Sequence, residues 1–89
     1  MRSINRSTNP GSRLRAARHR FGWTLREVEA QSMRIAQQLQ DRRFLIPHSR
    51  LNDLERSNSA PNIFRLYTLS RIYKRHIREV LAWYGVPSR

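Results

Sequence analysis

From Ile46 to Arg56 the chain reads Ile-Pro-His-Ser-Arg-Leu-Asn-Asp-Leu-Glu-Arg. Leu51 and Leu54 are spaced as neighbours on one side of a helix spanning His48–Arg56. That face turns inward, so His48, Ser49, Asn52 and Asp53 point outward or flank it, and Arg50 lies on its edge. Together these five side chains carry most kinds of hydrogen-bonding group a protein has. They suit the edges of paired bases: His48 or Arg50 donates to guanine, and Asn52 pairs with adenine. Asp53 accepts from cytosine N4 or holds Arg50 or Arg56 in place, and the second role is preferred because acidic base contacts are uncommon. Pro47 fits the start of this helix, where its missing N–H has no partner to lose.

The charge balance points to the same class of partner. Eighteen Lys and Arg stand against six Asp and Glu, for a net charge of +12. Such a surplus draws polyanions: nucleic acid, an anionic membrane or an acidic protein. All the cations but Lys74 are arginine, whose planar fork matches phosphate and guanine alike. Genomic preference for Arg codons accounts for much of the Arg-over-Lys choice, and less well for the total.

Other chemistries find little support. There is no cysteine, hence no disulfide framework and no thiolate metal site, and a reducing compartment is compatible. His19, His48 and His76 are far apart in sequence and lack ligand spacing, so no metal is expected. The three glycines, at 11, 22 and 85, form no phosphate loop, and no nucleophile motif occurs. Neither a cofactor nor catalysis is expected. The apolar runs, such as Phe44-Leu45-Ile46, are too short to span a membrane. Met1–Gly11 lacks the apolar core of a signal peptide.

Five helices must position the polar segment. Met1–Gly11 reads as a disordered N-terminal arm. Ser12 caps a first helix reaching about Phe21, with Leu14, Ala17, Arg18 and Phe21 on one face and Gly22 as its stop. Thr24 and Glu27 form a capping box for a second, long helix over Leu25–Gln40. Its stripe is Leu25, Val28, Ser32, Ile35, Ala36 and Leu39. Asp41–Leu45 is a loop with an apolar anchor, and Ser57–Pro61 is a loop by composition. Asn62 caps a fourth helix to about Tyr73, with Ile63, Leu66, Tyr67, Leu69, Ser70 and Tyr73 in or near its buried stripe. Lys74–His76 links to a last helix that buries Ile77, Val80, Leu81 and Tyr84 and ends at Gly85 and Pro87. The aromatic residues favour core packing over stacking on bases. Trp83 lies off the last stripe, so it is expected to be exposed and to mark a contact with another subunit or domain.

From Leu14 onward this order of features resembles the Cro/C1 (Xre) family of helix-turn-helix proteins. The resemblance is carried by Leu14-Arg15-Ala16-Ala17-Arg18, then Phe21-Gly22-Trp23-Thr24, then Leu25-Arg26-Glu27-Val28. It continues through Ile46–Arg56, Asn58-Ser59-Ala60-Pro61 and the helices from Ile63 to Leu81. No single piece is specific, but the ordered set is. The stretch between Thr24 and Ile46 is longer than the family's usual spacing, so the second helix runs on and the tight turn becomes the Asp41–Leu45 loop. Pro47 replaces a capping Ser or Thr. Ser57 and Lys74 replace customary glycines, so each is expected in a left-handed backbone.

The resemblance implies an all-α, five-helix lambda-repressor-like domain over residues 12–85, with 86–89 a tail or the start of a linker. It implies a bacterial transcription regulator acting on double-stranded DNA in the cytoplasm, on the nucleoid, with the helix at about 47–56 in the major groove. Base contacts then fall on His48, Ser49, Arg50, Asn52 and Asp53. Phosphate contacts fall on Thr24, Arg26, Arg42, Arg43, Arg56 and Asn58, with backbone N–H groups at the start of the second helix. The family pairs the Glu ending the third helix with an Arg on the first, which here means Glu55 with Arg18. Such modules usually act as symmetric dimers, through the last helix or a further C-terminal domain. Two other readings remain: a basic RNA-binding protein, and an antitoxin-like module that binds both DNA and a protein partner.

Overall fold

The computed structural model describes residues 9–87. It is all-α, with five helices and no strand among the described residues: α1 (Pro10–Arg20), α2 (Leu25–Leu39), α3 (His48–Glu55), α4 (Ile63–Ile72) and α5 (Ile77–Trp83). One 3-10 turn, Arg42–Phe44, interrupts the long connection between α2 and α3. No described helix is long and apolar enough to cross a membrane.

α1 begins earlier than its sequence suggests. Asn9, not Ser12, is the cap, and its Oδ1 accepts from the Gly11 N–H at 2.9 Å. Pro10 fills the first helical position, where no N–H is needed. The expected arm therefore loses Pro10 and Gly11 to the helix, and residues 1–8 lie outside the described residues. Leu14 and Ala17 are buried, whereas Phe21, expected on the same face, is 40% exposed. It follows the helix end and stacks on Trp23, ring centroids 4.4 Å apart. Gly22 then takes a left-handed conformation (φ +71°), which a side chain would strain.

The capping box of α2 is complete. Thr24 Oγ1 accepts from the Glu27 N–H, and the Glu27 carboxylate accepts from the Thr24 N–H. Val28, Ser32, Ile35 and Ala36 face the core, but Leu39 is 41% exposed. The sequence stripe runs one turn further than the packing, because Gln40 turns the chain away with a left-handed backbone (φ 54°).

The connection that follows is not a free loop. Asp41 caps the 3-10 turn through the Arg43 N–H. Thr68 Oγ1 donates to the Phe44 carbonyl at 2.7 Å, and Arg65 Nε donates to the Leu45 carbonyl at 3.0 Å. Phe44 sits edge-on against Phe64 and Tyr67. Ile46, fully buried, joins the core, and its N–H donates to Ser32 Oγ at 2.9 Å. Polar bonds from α2 and α4 thus hold the last three residues of the segment, Phe44 to Ile46.

Pro47 caps α3 by backbone position alone, without a side-chain bond. Leu51 and Leu54 are buried, at 1% and 3% exposure. Ser57 does not take the left-handed backbone expected of it, while Lys74 does (φ 55°). The turn after α3 closes instead with the Arg56 N–H bonded to the Asn52 and Asp53 carbonyls, which asks nothing unusual of Ser57.

α4 opens at Asn62, whose Oδ1 accepts from the Arg65 N–H. Its buried set is Leu66, Thr68, Leu69, Ser70 and Ile72, with Tyr73 next. Ile63 and Tyr67 were expected in or beside that stripe, yet they are 58% and 38% exposed. Ile63 occupies the first turn, ahead of the packing, and Tyr67 covers Phe44 from outside. α5 is capped by His76 and buries Val80 completely. Trp83 is half-buried against the hydrophobic core, with the Arg75 guanidinium 5.8 Å from its ring. The exposure that suggested a subunit contact there is absent.

Candidate nucleic-acid interface

The inner side of α3 is fixed at three places. Leu51 and Leu54 enter the core. At the C-terminal end, Arg18 of α1 grips Glu55 by two parallel bonds: Nε to Oε2 at 2.7 Å and Nη2 to Oε1 at 2.8 Å. Arg18 Nη1 donates to the Trp23 carbonyl at 2.9 Å, so one guanidinium ties α1, the approach to α2 and the end of α3. The hydrogen bonds that Arg18 donates to Glu55 raise its pKa above the ordinary value, against the opposing effect of burial. Both side chains are largely buried, at 12% and 5% exposure.

The third place is the N-terminal end. Ser32 Oγ accepts from the Ile46 N–H and donates to the Glu29 carbonyl at 2.7 Å. The Glu29 carboxylate reaches across to α3, its Oε1 3.1 Å from His48 Nδ1. No spacing rule links residues 29 and 48, so sequence reading missed this pair. It missed Ser32, Arg65 and Thr68 as anchors for the same reason: each binds a backbone group many residues away.

The outward side of α3 is polar. Ser49, Arg50 and Asp53 are exposed, and His48 and Asn52 are half-buried. Asp53 makes no ion pair among the described residues, so it holds neither Arg50 nor Arg56. On a wet helix surface such a pair gains little. Arg50 and Arg56 are likewise without a carboxylate partner in this structure.

The residues expected at phosphates divide into two groups. Arg26, Arg42, Arg56 and Asn58 are exposed and make no side-chain bond within the described chain. Thr24 and Arg43 are engaged. Thr24 Oγ1 accepts in the cap but keeps its own proton to donate. The Glu27 carboxylate occupies the Thr24 N–H, so this helix start is a poorer anion site than its bare backbone would be. Arg43 is clamped by both Asp41 oxygens and lies 4.0 Å over the Phe64 ring. The same bonds, side chain first and backbone second, lower the pKa of Asp41. Arg43 thus already has a carboxylate and a ring as neighbours, but at 63% side-chain exposure the pair is open to water and holds it only weakly.

Compared with protein-family models, curated proteins and solved structures, the chain gives no match.

Proposed function

We propose that this chain is a helix-turn-helix domain of Cro/C1 type that binds double-stranded DNA sequence-specifically, acting in transcription control with α3 in the major groove. One observation carries the reading. α3 is a short helix whose two leucines and terminal glutamate are tied inward, while His48, Ser49, Arg50, Asn52 and Asp53 remain for an outside partner. A short polar helix is costly to maintain on propensity alone, and in a chain of net charge +12 a nucleic acid is the partner its outer face suits. Arg26, Arg42, Arg56 and Asn58 supply the phosphate contacts, and His48, Ser49, Arg50 and Asn52 the base contacts.

Affinity comes first from released counterions, so it falls steeply with salt. Selection of binding sites from random duplex DNA at two salt concentrations tests the proposal. A recovered motif, with binding that weakens as salt rises, supports it. Equal binding to RNA and duplex DNA with no motif overturns it and favours a general basic RNA binder instead.

A further inference from the structure

The carboxylate of Glu29 constrains the chemistry of His48. An ionised carboxylate only accepts hydrogen bonds, so the contact between Glu29 Oε1 and His48 Nδ1, 3.1 Å long, requires the proton on Nδ1. A neutral imidazole carries one N–H, which leaves Nε2 as a bare lone pair. Nε2 has no hydrogen-bond partner within the described chain. The only fully buried, unpartnered side-chain atoms there are the Tyr73 and Tyr84 hydroxyls, so Nε2 is not sealed from solvent, and the side chain as a whole is 38% exposed. The arrangement is held from behind: Ser32 bonds the Glu29 carbonyl and the Ile46 N–H, tying the carboxylate's turn of α2 to the chain just before His48. Of the other charges on these two helices, Arg26, Arg50 and Asp53 make no ion pair with either side chain.

We propose that Glu29 is a positioning residue that sets which bases the neutral form of His48 accepts: with its one proton held at Nδ1 the imidazole is an acceptor at Nε2, and it selects a base bearing an exocyclic amine. This rests on the duplex-DNA reading above and reverses the expectation that His48 donates to guanine. In the major groove cytosine offers N4–H and adenine N6–H as donors, while guanine and thymine offer acceptors there. A bare Nε2 bonds the first pair and meets lone pairs on the second. Glu29 touches no base. It acts through the histidine, as carboxylates do when they fix the tautomer of a metal-bound imidazole.

Two measurements test this on the whole chain. Nitrogen chemical shifts of the His48 ring at pH 8, where an imidazole is ordinarily neutral, report the tautomer without any DNA. The expected pattern is Nδ1–H in the unmodified protein and a shift toward Nε2–H, the form a free imidazole favours, in Glu29→Leu. Selection of duplex sites at the same pH is then run with the unmodified protein, Glu29→Leu and His48→Ala. The unmodified protein is expected to hold one position to adenine or cytosine by about ten-fold. Glu29→Leu admits guanine or thymine there, His48→Ala loses the position, and the other positions stay as they were. Nε2–H in the unmodified protein overturns the inference. So does a position that His48→Ala relaxes and Glu29→Leu leaves untouched. Absence of any motif alongside the Nδ1–H form overturns the proposed function, and the base preference with it, while the tautomer assignment stands.

Discussion

Arg18 and Glu55, thirty-seven positions apart, meet through two parallel charge-assisted hydrogen bonds in a nearly closed site between α1 and α3. Removing one member leaves the other charged and buried, which typically costs ~3 kcal/mol or more. Arg18→Ala is therefore expected to lower the melting temperature on the order of 12–24 °C for a domain this size. The loss is larger than a lone pair would give, because the Trp23 carbonyl also loses its donor. Arg18→Leu combined with Glu55→Leu should recover part of the stability, since an apolar replacement removes both desolvation costs at once. Thermal unfolding of the three proteins checks this, and an unchanged melting curve for Arg18→Ala sinks it.

That pair was visible in the sequence only as a family likeness; no spacing rule joins residues 18 and 55. What the sequence did show by itself was local. The Thr24–Glu27 box, the stop at Gly22, the cap at Asn62 and the inward leucines of α3 each depend on neighbours a few positions away, where geometry is fixed by the helix itself. The failures share a cause as well. Leu39, Ile63 and Phe21 have helical spacing, but spacing does not tell where the partner helices end. Trp83 misled in the opposite sense, because a large ring can reach the core from a flanking position. On the candidate interface, the exposed side chains were legible. Their long-range restraints were not, since Glu29 on His48 and Phe64 under Arg43 are tertiary facts; Asp41 on Arg43 is local, two positions away, and sequence reading missed it.

Ser32 is the anchor of the long α2–α3 connection. Its hydroxyl is fully buried and satisfies the Ile46 N–H, a group with no helix or sheet to serve it. Ser32→Ala removes the acceptor without removing the need, so a loss of about 1–3 kcal/mol is expected. Because Ile46 leads directly into α3, under the proposed function the variant should also bind DNA more weakly while keeping its motif. Chemical denaturation measures the first effect. A change within the ±0.5 kcal/mol typical of surface substitutions would show that the hydroxyl holds nothing.

Gly11 offers a test of sign. In an isolated helix, Gly→Ala gains up to about 1 kcal/mol. Here an added Cβ would stand 2.5 Å from the Glu55 carbonyl oxygen and 2.7 Å from that of Ser57, both backbone atoms that cannot swing aside. α1 would have to withdraw from the end of α3, next to the Arg18–Glu55 pair. Gly11→Ala is therefore expected to destabilise by about 1–3 kcal/mol, the usual range for overpacking. A stabilised variant refutes the close approach of the two helices.

The hydroxyls of Tyr73 and Tyr84 are buried and unpartnered. Burial pushes the Tyr84 phenol up to about 12 and that of Tyr73 higher, with the Glu55 charge adding to the shift at Tyr73. The folded state thus keeps these protons after the unfolded chain, titrating near its ordinary value of about 10, has released them. Their contribution to stability is whole below pH 10 and drains away as pH rises toward 12 and beyond. Tyr73→Phe with Tyr84→Phe removes this dependence and breaks no hydrogen bond, so at pH 7 the double variant should match or slightly exceed the parent. Denaturation midpoints between pH 7 and 11 decide the matter. A double variant that falls as steeply with alkali as the parent assigns the loss to other groups.

The arginines around α3 should separate by restraint. Arg26 is exposed and unpaired, so under the proposed function its charge is free to displace a counterion. Arg43 already answers Asp41 and covers Phe64. Each phosphate contact contributes roughly 0.9 to the slope of log K against log salt on duplex DNA. Arg26→Ala should lower that slope by about one such contact and weaken every sequence alike. Arg43→Ala should lower it less and cost some stability instead, since it frees Asp41 and uncovers an aromatic ring. Asn52→Ala, by contrast, should leave the slope alone and relax one base position. Titrations of a single selected duplex and a scrambled one, over a range of salt, distinguish the three. Equal slopes for Arg26→Ala and Arg43→Ala would mean that DNA draws Arg43 out of its clamp.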